Sequence, residues 1–172
     1  SAYFMGGPEE AINMLNRNLD LDIQDYVTVD FKALADVVDL LGGIEIDLTE
    51  AEAEELNRYI HETAVVAEKE AVYVSEGLQT LDGVQAVTYA RIRKNVGGDY
   101  ARTERQQLVI RKVVDKIKQV DLVTLNDIID KVFSQVSTSF KLDEIIKLAS
   151  GVTQYNIAGT GGFPFEKTDG AI

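Results

Sequence analysis

Tyr26-Val27-Thr28-Val29-Asp30-Phe31-Lys32-Ala33-Leu34-Ala35-Asp36-Val37-Val38-Asp39-Leu40-Leu41-Gly42-Gly43-Ile44-Glu45-Ile46-Asp47-Leu48 changes its hydrophobic period twice. From Tyr26 to Phe31 the residues alternate as in a strand with one apolar face, and the strand is expected to end near Phe31. Phe31, Leu34, Val38 and Leu41 then recur at helical spacing, and Gly42-Gly43 supplies a stop. Ile44 to Leu48 alternates again and predicts a short second strand. A strand, a helix and a strand within 23 residues point to an α/β fold.

Reading outward, Gly6-Gly7-Pro8-Glu9-Glu10 opens a helix, with proline in the first turn and two glutamates facing the positive helix end; Ile12, Leu15 and Leu19 share its apolar face. Thr49 with Glu52 forms a capping box, predicting an acidic surface helix from Glu50 to about His61. Ala71 to Val74 is expected as a third strand, followed by a turn at Glu76-Gly77. Asp82 caps a helix that reaches Arg93 with Val84, Val87 and Ala90 inward. Lys94-Asn95-Val96-Gly97-Gly98 breaks it, and a long amphipathic helix follows through Arg102, Gln106, Val109, Val113 and Ile117. Leu122 to Val136 and Leu142 to Leu148 read as two further helices, and the tail from Val152, with Gly159-Thr160-Gly161-Gly162 and Pro164, as strand and loop. The expected architecture is one layered α-β-α domain over residues 1–172, a central mixed sheet flanked by helices.

At 172 residues, the chain can bury roughly 70% of its unfolded surface in one core. No apolar run approaches the ~20 residues needed to cross a bilayer, and Ser1 opens without a signal region. The absence of cysteine excludes disulfides, a thiol nucleophile and a cysteine zinc site. A net charge of −12 argues against general affinity for nucleic acid. Between Arg91 and Lys112, however, seven basic residues face two acidic ones, and five of the seven arginines lie there. Arginine presents a fixed, permanently charged fork matched to phosphate and carboxylate oxygens, so an anionic ligand is expected.

Asp99, Arg102, Arg105 and Gln106 are spaced by three and four, on one side of a helix's opening turns, where free N–H groups and partial positive charge already favour anions. Arg91 and Arg93, two apart, cannot both point one way: one is left to bind the ligand, the other to support Asp99 or the surface. The competing reading pairs these arginines with surface carboxylates, for ~0–1 kcal/mol each.

The wording of Leu81-Asp82-Gly83-Val84-Gln85-Ala86-Val87-Thr88-Tyr89-Ala90-Arg91-Ile92-Arg93, then Gly98-Asp99-Tyr100-Ala101-Arg102-Thr103-Glu104-Arg105-Gln106, resembles the LytR-CpsA-Psr family of bacterial envelope proteins. Asp25 to Phe31 and Val38 to Ile44 are similar to the same family's signature stretches, so the resemblance runs from Gly6 to about Lys118. It implies a membrane-anchored protein, with the anchor outside this chain, whose extracytoplasmic domain transfers glycopolymers from an undecaprenyl-pyrophosphate carrier to peptidoglycan, in an envelope of Gram-positive type. By position it implies that Arg91, Arg93, Arg102 and Gln106 contact the pyrophosphate, that Asp99 is an acidic residue of the same site, and that Mg2+ assists. Arg105 joins the expected pyrophosphate set, and Arg91, Arg93, Asp99 and Arg102 the expected catalytic set. The family's first strands and its magnesium-binding arginine-aspartate segment have no match here. The chain is therefore expected to be an N-terminally truncated domain, with no metal ligand assigned in it.

Other signals carry less. His61 lies in an acidic helix without a nucleophile partner and reads as solvent-facing. Gly159-Thr160-Gly161-Gly162 lacks the lysine and hydroxyl of a phosphate loop. Glu50, Glu52, Glu54 and Glu55 read as a solvated face. Tyr89 and Tyr100 are expected to pack against the arginine stems. The alternative to a phosphotransferase is a non-catalytic envelope lipid-binding or regulatory module, of the transcriptional-attenuator kind.

Overall fold

Asp30 decides where the first strand stops. In the computed structural model of the chain, which describes residues 2–133 and 135–151, its backbone is extended and its side chain accepts from Ala33 N at 2.7 Å. That is a helix N-cap, so the strand ends at Val29 and Phe31 already begins the helix. The element order is α1 (Ala2–Leu19), β1 (Val27–Val29), α2 (Phe31–Leu40), β2 (Ile44–Leu48), α3 (Glu50–Ala67), β3 (Gly77–Leu81), α4 (Gly83–Arg91), α5 (Gly98–Ile117), α6 (Leu122–Phe133), β4 (Val136–Thr138) and α7 (Leu142–Ser150). α1 is broken at Gly6-Gly7, where Gly7 has φ +71°, so its regular part starts at Pro8 as the sequence predicts. No helix among the described residues is long and apolar enough to cross a membrane. The expected tail elements from Val152 lie outside the described residues.

The α/β class holds, with strands that pair locally. Among the described residues they form two antiparallel pairs rather than one central mixed sheet: β2 with β3 (Ile44 opposite Leu81, Leu48 opposite Gly77) and β1 with β4 (Val27 opposite Thr138, Val29 opposite Val136). β2 shows the predicted alternation, with Ile44, Ile46 and Leu48 buried. β1 alternates as well, but with Val27 and Val29 on its exposed side.

Three expectations need correction. Ala71 to Val74 is not a strand, because side chains satisfy its backbone in place of a neighbouring strand. The Asn57 amide donates to Val74 O (2.8 Å) and accepts from Val74 N (2.9 Å), and Gln85 donates to Val72 O (3.0 Å). The strand lies later, at Gly77–Leu81. α6 ends at Phe133, and residues 136–138 form β4 instead of its last turn. α3 runs on to Ala67 and is not a surface helix: Leu56, Ile60, Ala64 and Ala67 are buried, and the left-handed Glu68 (φ +56°) closes it.

α4 occupies the centre, all of Gly83 to Ala90 being buried against α2, α3 and α5. Asp82 and Gln85 close a capping box at its start. Gly83 is required by close approach, since a methyl there would lie 2.1 Å from Ala35 O of α2. Asp39 accepts from Gly83 N at 2.7 Å, and Lys69 reaches both Asp36 and Asp39 at 2.6 Å. Burial alone raises the Asp36 pKa, but hydrogen bonds from Lys69 and Gln135 and the Lys69 charge outweigh it, leaving the carboxyl below its ordinary value. Lys69 answers in kind: burial lowers its pKa, but Asp36 and Asp39 outweigh that and hold it above the ordinary value. This network ties α2 to the end of α3 and the start of α4, which fixes where α4 delivers Arg91.

Candidate anion site

α4 ends because Ile92 turns extended (ψ 142°), and the chain then makes a sharp return into α5. Asn95, Gly97 and Gly98 all have positive φ (+59°, +88° and +67°). At Gly97 a side chain would also meet Ala101 Cβ at 2.7 Å, so both glycines of the predicted break serve the turn itself. Gly97 caps α5 without a side-chain hydrogen bond, leaving the first-turn N–H groups to other partners.

Around this start the structure brings three of the expected residues together. One oxygen of Asp99 takes Arg102 Nη2 at 2.9 Å and has Arg93 Nε at 3.6 Å. All three side chains are substantially exposed, so these pairs add little to folding and can exchange with a ligand. Arg102 Nε is buried without a partner among the described residues, a donor still unspent. Arg91 diverges from Arg93, as their spacing requires. It donates to Thr63 Oγ1 at 2.9 Å and stacks 4.6 Å above the Phe31 ring. Gln106 is exposed, one turn beyond Arg102. Lys94 joins Arg91 and Arg93 in lining one cavity of about 400 Å3, whose other wall is Tyr59, Glu62 and Thr63 of α3.

Arg105 is placed differently. It is only 5% exposed, donating to Ile92 O (2.7 Å) and Val96 O (2.9 Å), with Glu52 at 3.5 Å and the Tyr89 ring 5.9 Å away. Its guanidinium thus fastens the two ends of the turn that carries Arg93. Tyr89 is buried beside it; burial foremost, then the Glu52 charge and hydrogen bond, push its phenol up to about 12 against the opposing Arg105 charge. Tyr100 stays exposed.

The residues missed by sequence reading sit on α3. Glu55, assigned there to a solvated face, is 1% exposed, with Oε2 accepting from Asn95 (3.2 Å) and pairing with Arg58 (3.2 Å). With Glu52 held to Arg105 and Thr63 to Arg91, α3 presents Glu52, Glu55 and Thr63 as a back plate for the turn. Their spacing of three and then eight is a helical face and was the available signal. It was overlooked because carboxylates on a helix default to solvent. His61 is exposed as expected, and contacts Tyr73 Oη at 2.9 Å.

The residues described do not fit the magnesium ion that the resemblance implies. No group of three or more His, Asp and Glu side chains comes together among them, and the Asp99 carboxylate is occupied by two guanidiniums. No step is therefore routed through the ion.

The sequence profile of the LytR_cpsA_psr family matches residues 1–162. The chain belongs to this family. Among its LytR_cpsA_psr relatives, the polyisoprenyl-teichoic acid–peptidoglycan teichoic acid transferase TagV of Bacillus subtilis (strain 168) is 30% identical over 162 residues, covering 91% of this chain and 39% of that protein. Biofilm regulatory protein A of Streptococcus mutans is 34% identical over 125 residues, covering 72% of this chain and 29% of that protein. A crystal structure described as a transcriptional regulator from Enterococcus faecalis superposes with a TM-score of 0.68 at 32% identity, covering 88% of this chain and 51% of that one. The chain thus spans about half, or less, of the length of these LytR_cpsA_psr relatives.

Proposed function

We propose that the chain is the anion-binding part of an extracytoplasmic phosphotransferase domain, which takes a glycopolymer from a polyprenyl-pyrophosphate carrier and passes it to peptidoglycan. The observation that carries this reading is the convergence of Arg93 and Arg102 on one oxygen of Asp99 at the start of α5, where no side chain caps the first turn. A pyrophosphate oxygen offered to these guanidiniums replaces one anion by another while the helix N-terminus adds its own attraction. Arg91, held by Thr63 and Phe31, lines the same cavity as Arg93 and supplies a further fixed cation there. In the transfer, an acceptor hydroxyl oxygen bonds to the polymer-bearing phosphorus, its proton passing to solvent, and the P–O bond to the polyprenyl phosphate breaks. The charge left on that departing phosphate is what fixed cations stabilise. The expected catalytic set, Arg91, Arg93, Asp99 and Arg102, serves here as clamp and aligner, with Gln106 one turn behind.

The transferase activity for which the TagV relative is named supports the teichoic-acid side of this reading, and the local positive charge in an acidic chain supports the anionic carrier. The domain is placed on the outer face of a Gram-positive-type envelope, its membrane anchor and any magnesium ligands supplied from beyond the described residues. Titration with farnesyl pyrophosphate tests it. The Arg91→Ala/Arg102→Ala double variant should lose about 100-fold or more in affinity, at ~1.5–3 kcal/mol per charged hydrogen bond. Retained affinity overturns the reading. The similarity to proteins described as regulators favours a second reading, an envelope-binding regulatory module, which predicts the same lipid affinity in wild-type protein with no polymer transfer in cells.

A further inference from the structure

After α3 the chain runs back along that helix. Tyr73 meets His61, the N–H and carbonyl of Val74 are both bonded to Asn57, and Gly77 pairs with Leu48, just ahead of the helix start at Glu50. The face so made carries an apolar row: Val65, one turn beyond His61, then Tyr73, then Leu78 on the outer side of the β2–β3 pair, with exposures of 78%, 64% and 71%. Single exposed apolar residues are ordinary. A row that follows α3 for roughly 20 Å, at 1.5 Å per residue, matches instead a helix of about 14 residues. The row is also held in place. The Tyr73 ring stands edge-on to His61, with centroids 5.5 Å apart and planes at 84°, and Gln85 donates to Val72 O. An ordered, exposed tyrosine suits an interface anchor, because covering it loses little entropy. Charge then decides what covers it. Arg58 is engaged by Glu55, Lys69 by Asp36 and Asp39, and Lys32 by Glu68. Glu54, Glu70, Glu76 and Asp47 are exposed and form no ion pair among the described residues. An anionic polymer or lipid surface is repelled by such a face, whereas apolar side chains flanked by lysine or arginine complement both its parts.

We propose that this face docks a basic amphipathic helix of a partner protein, whose apolar side chains cover Val65, Tyr73 and Leu78 while its cations meet the four carboxylates. None of these residues belongs to the anion site, so the docking face and the proposed function are tested separately.

The test measures, by fluorescence anisotropy, binding of the 172-residue protein to labelled model peptides of that length: one of leucine and lysine in amphipathic order, one with serine in place of leucine, and one with glutamate in place of lysine. The leucine–lysine peptide should bind about tenfold or more tighter than the serine–lysine peptide, and the leucine–glutamate peptide should not bind. Val65→Ser/Tyr73→Ser, at exposed positions where folding is kept, should weaken the first by about tenfold. Glu70→Gln/Glu76→Gln should weaken it as much and flatten its salt dependence. Asp127→Asn/Asp130→Asn, the same change of charge on α6, should alter it by less than about twofold. Equal binding of the leucine–lysine and serine–lysine peptides overturns the proposal, and so do equal losses from the α6 and the Glu70/Glu76 changes, since charge alone is then the attraction. A dimer in sedimentation, or binding to phosphatidylglycerol vesicles, that Val65→Ser/Tyr73→Ser abolishes overturns it too, because the occupant is then a second copy or a lipid surface.

Discussion

Replacing Arg105 by methionine separates two roles that the sequence alone gives to the same arginine. The apolar stem stays in place, but the donors to Ile92 O and Val96 O, at 2.7 and 2.9 Å, are gone, and Glu52 loses its cation. A buried polar group left without a partner costs ~1–3 kcal/mol, and hydrogen bonds from a charged donor lie toward the upper end. Val96 O and Glu52 are nearer to solvent than Ile92 O, so the sum is about 3 kcal/mol. For a chain of this length that lowers the melting temperature by roughly 6–12 °C. Urea denaturation followed by far-ultraviolet circular dichroism measures it, and pyrophosphate titration of the folded variant completes the comparison. A loss of stability below about 1 kcal/mol accompanied by a tenfold or greater loss of pyrophosphate affinity refutes the reasoning and makes Arg105 a ligand contact.

Gly83→Ala should destabilise by about 2 kcal/mol or more despite alanine's better helix propensity, because the added methyl meets Ala35 O at 2.1 Å; calorimetric melting shows it. Asp82 has its pKa raised, by burial first and also by the Asp39 charge against the lowering backbone hydrogen bonds, so ionising it opposes folding: the stability present below its ordinary pKa is lost as pH rises through the folded value. Asp82→Asn keeps the cap and should equal or exceed wild type at neutral pH, whereas Asp82→Ala should cost about 1 kcal/mol; denaturant midpoints rank them. Lys69→Met leaves Asp36 buried without its cation and should cost about 2 kcal/mol, less than a fully buried pair because Lys69 is partly exposed. In wild type, Asp36's contribution is present above its ordinary pKa and lost as pH falls through the lowered folded value, while Lys69's is lost as pH rises through its raised one. The variant should therefore begin acid unfolding at a higher pH, with the Asp36 carboxyl resonance titrating upward.

What was legible in the sequence was what short-range chemistry decides. Thr49 with Glu52, the Asp82 cap and the Gly97-Gly98 break each act within a few residues, and all three capping or stopping roles are present in the structure, where Gln85 closes a box with Asp82. The strand at Gly77–Leu81 was not legible, because Asn57 and Gln85, 17 and 13 residues from their targets, claim the more strand-like Ala71–Val74 first. Strand β4 escaped for the same reason: residues 136–138 become a strand only by pairing with Val27–Val29, more than a hundred residues away. At the site, residue types showed that Arg91, Arg93, Arg102 and Arg105 formed one basic cluster, but not that Arg105 turns inward, since that depends on carbonyls freed by the extended Ile92 and the positive φ at Asn95 and Gly97.

The division between inner and outer charges follows from what an anion site must do. Exchanging Asp99 for a phosphate oxygen requires Arg93 and Arg102 to change partner, which is inexpensive for pairs worth ~0–1 kcal/mol in solvent. The turn beneath them has no such freedom, because it bends through three residues at positive φ, of which Asn95 carries a side chain and has to be held in that conformation. An apolar filling under the turn could stabilise the fold as well, yet it would leave the carbonyls of Ile92 and Val96 unpaired and give the turn no directional hold. Arg105 from α5 and Glu55 from α3 supply that hold, one through Ile92 O and Val96 O, the other through the Asn95 side chain. The two buried charges therefore set the shape of the turn, and the exposed ones, mounted on it, remain available to the ligand.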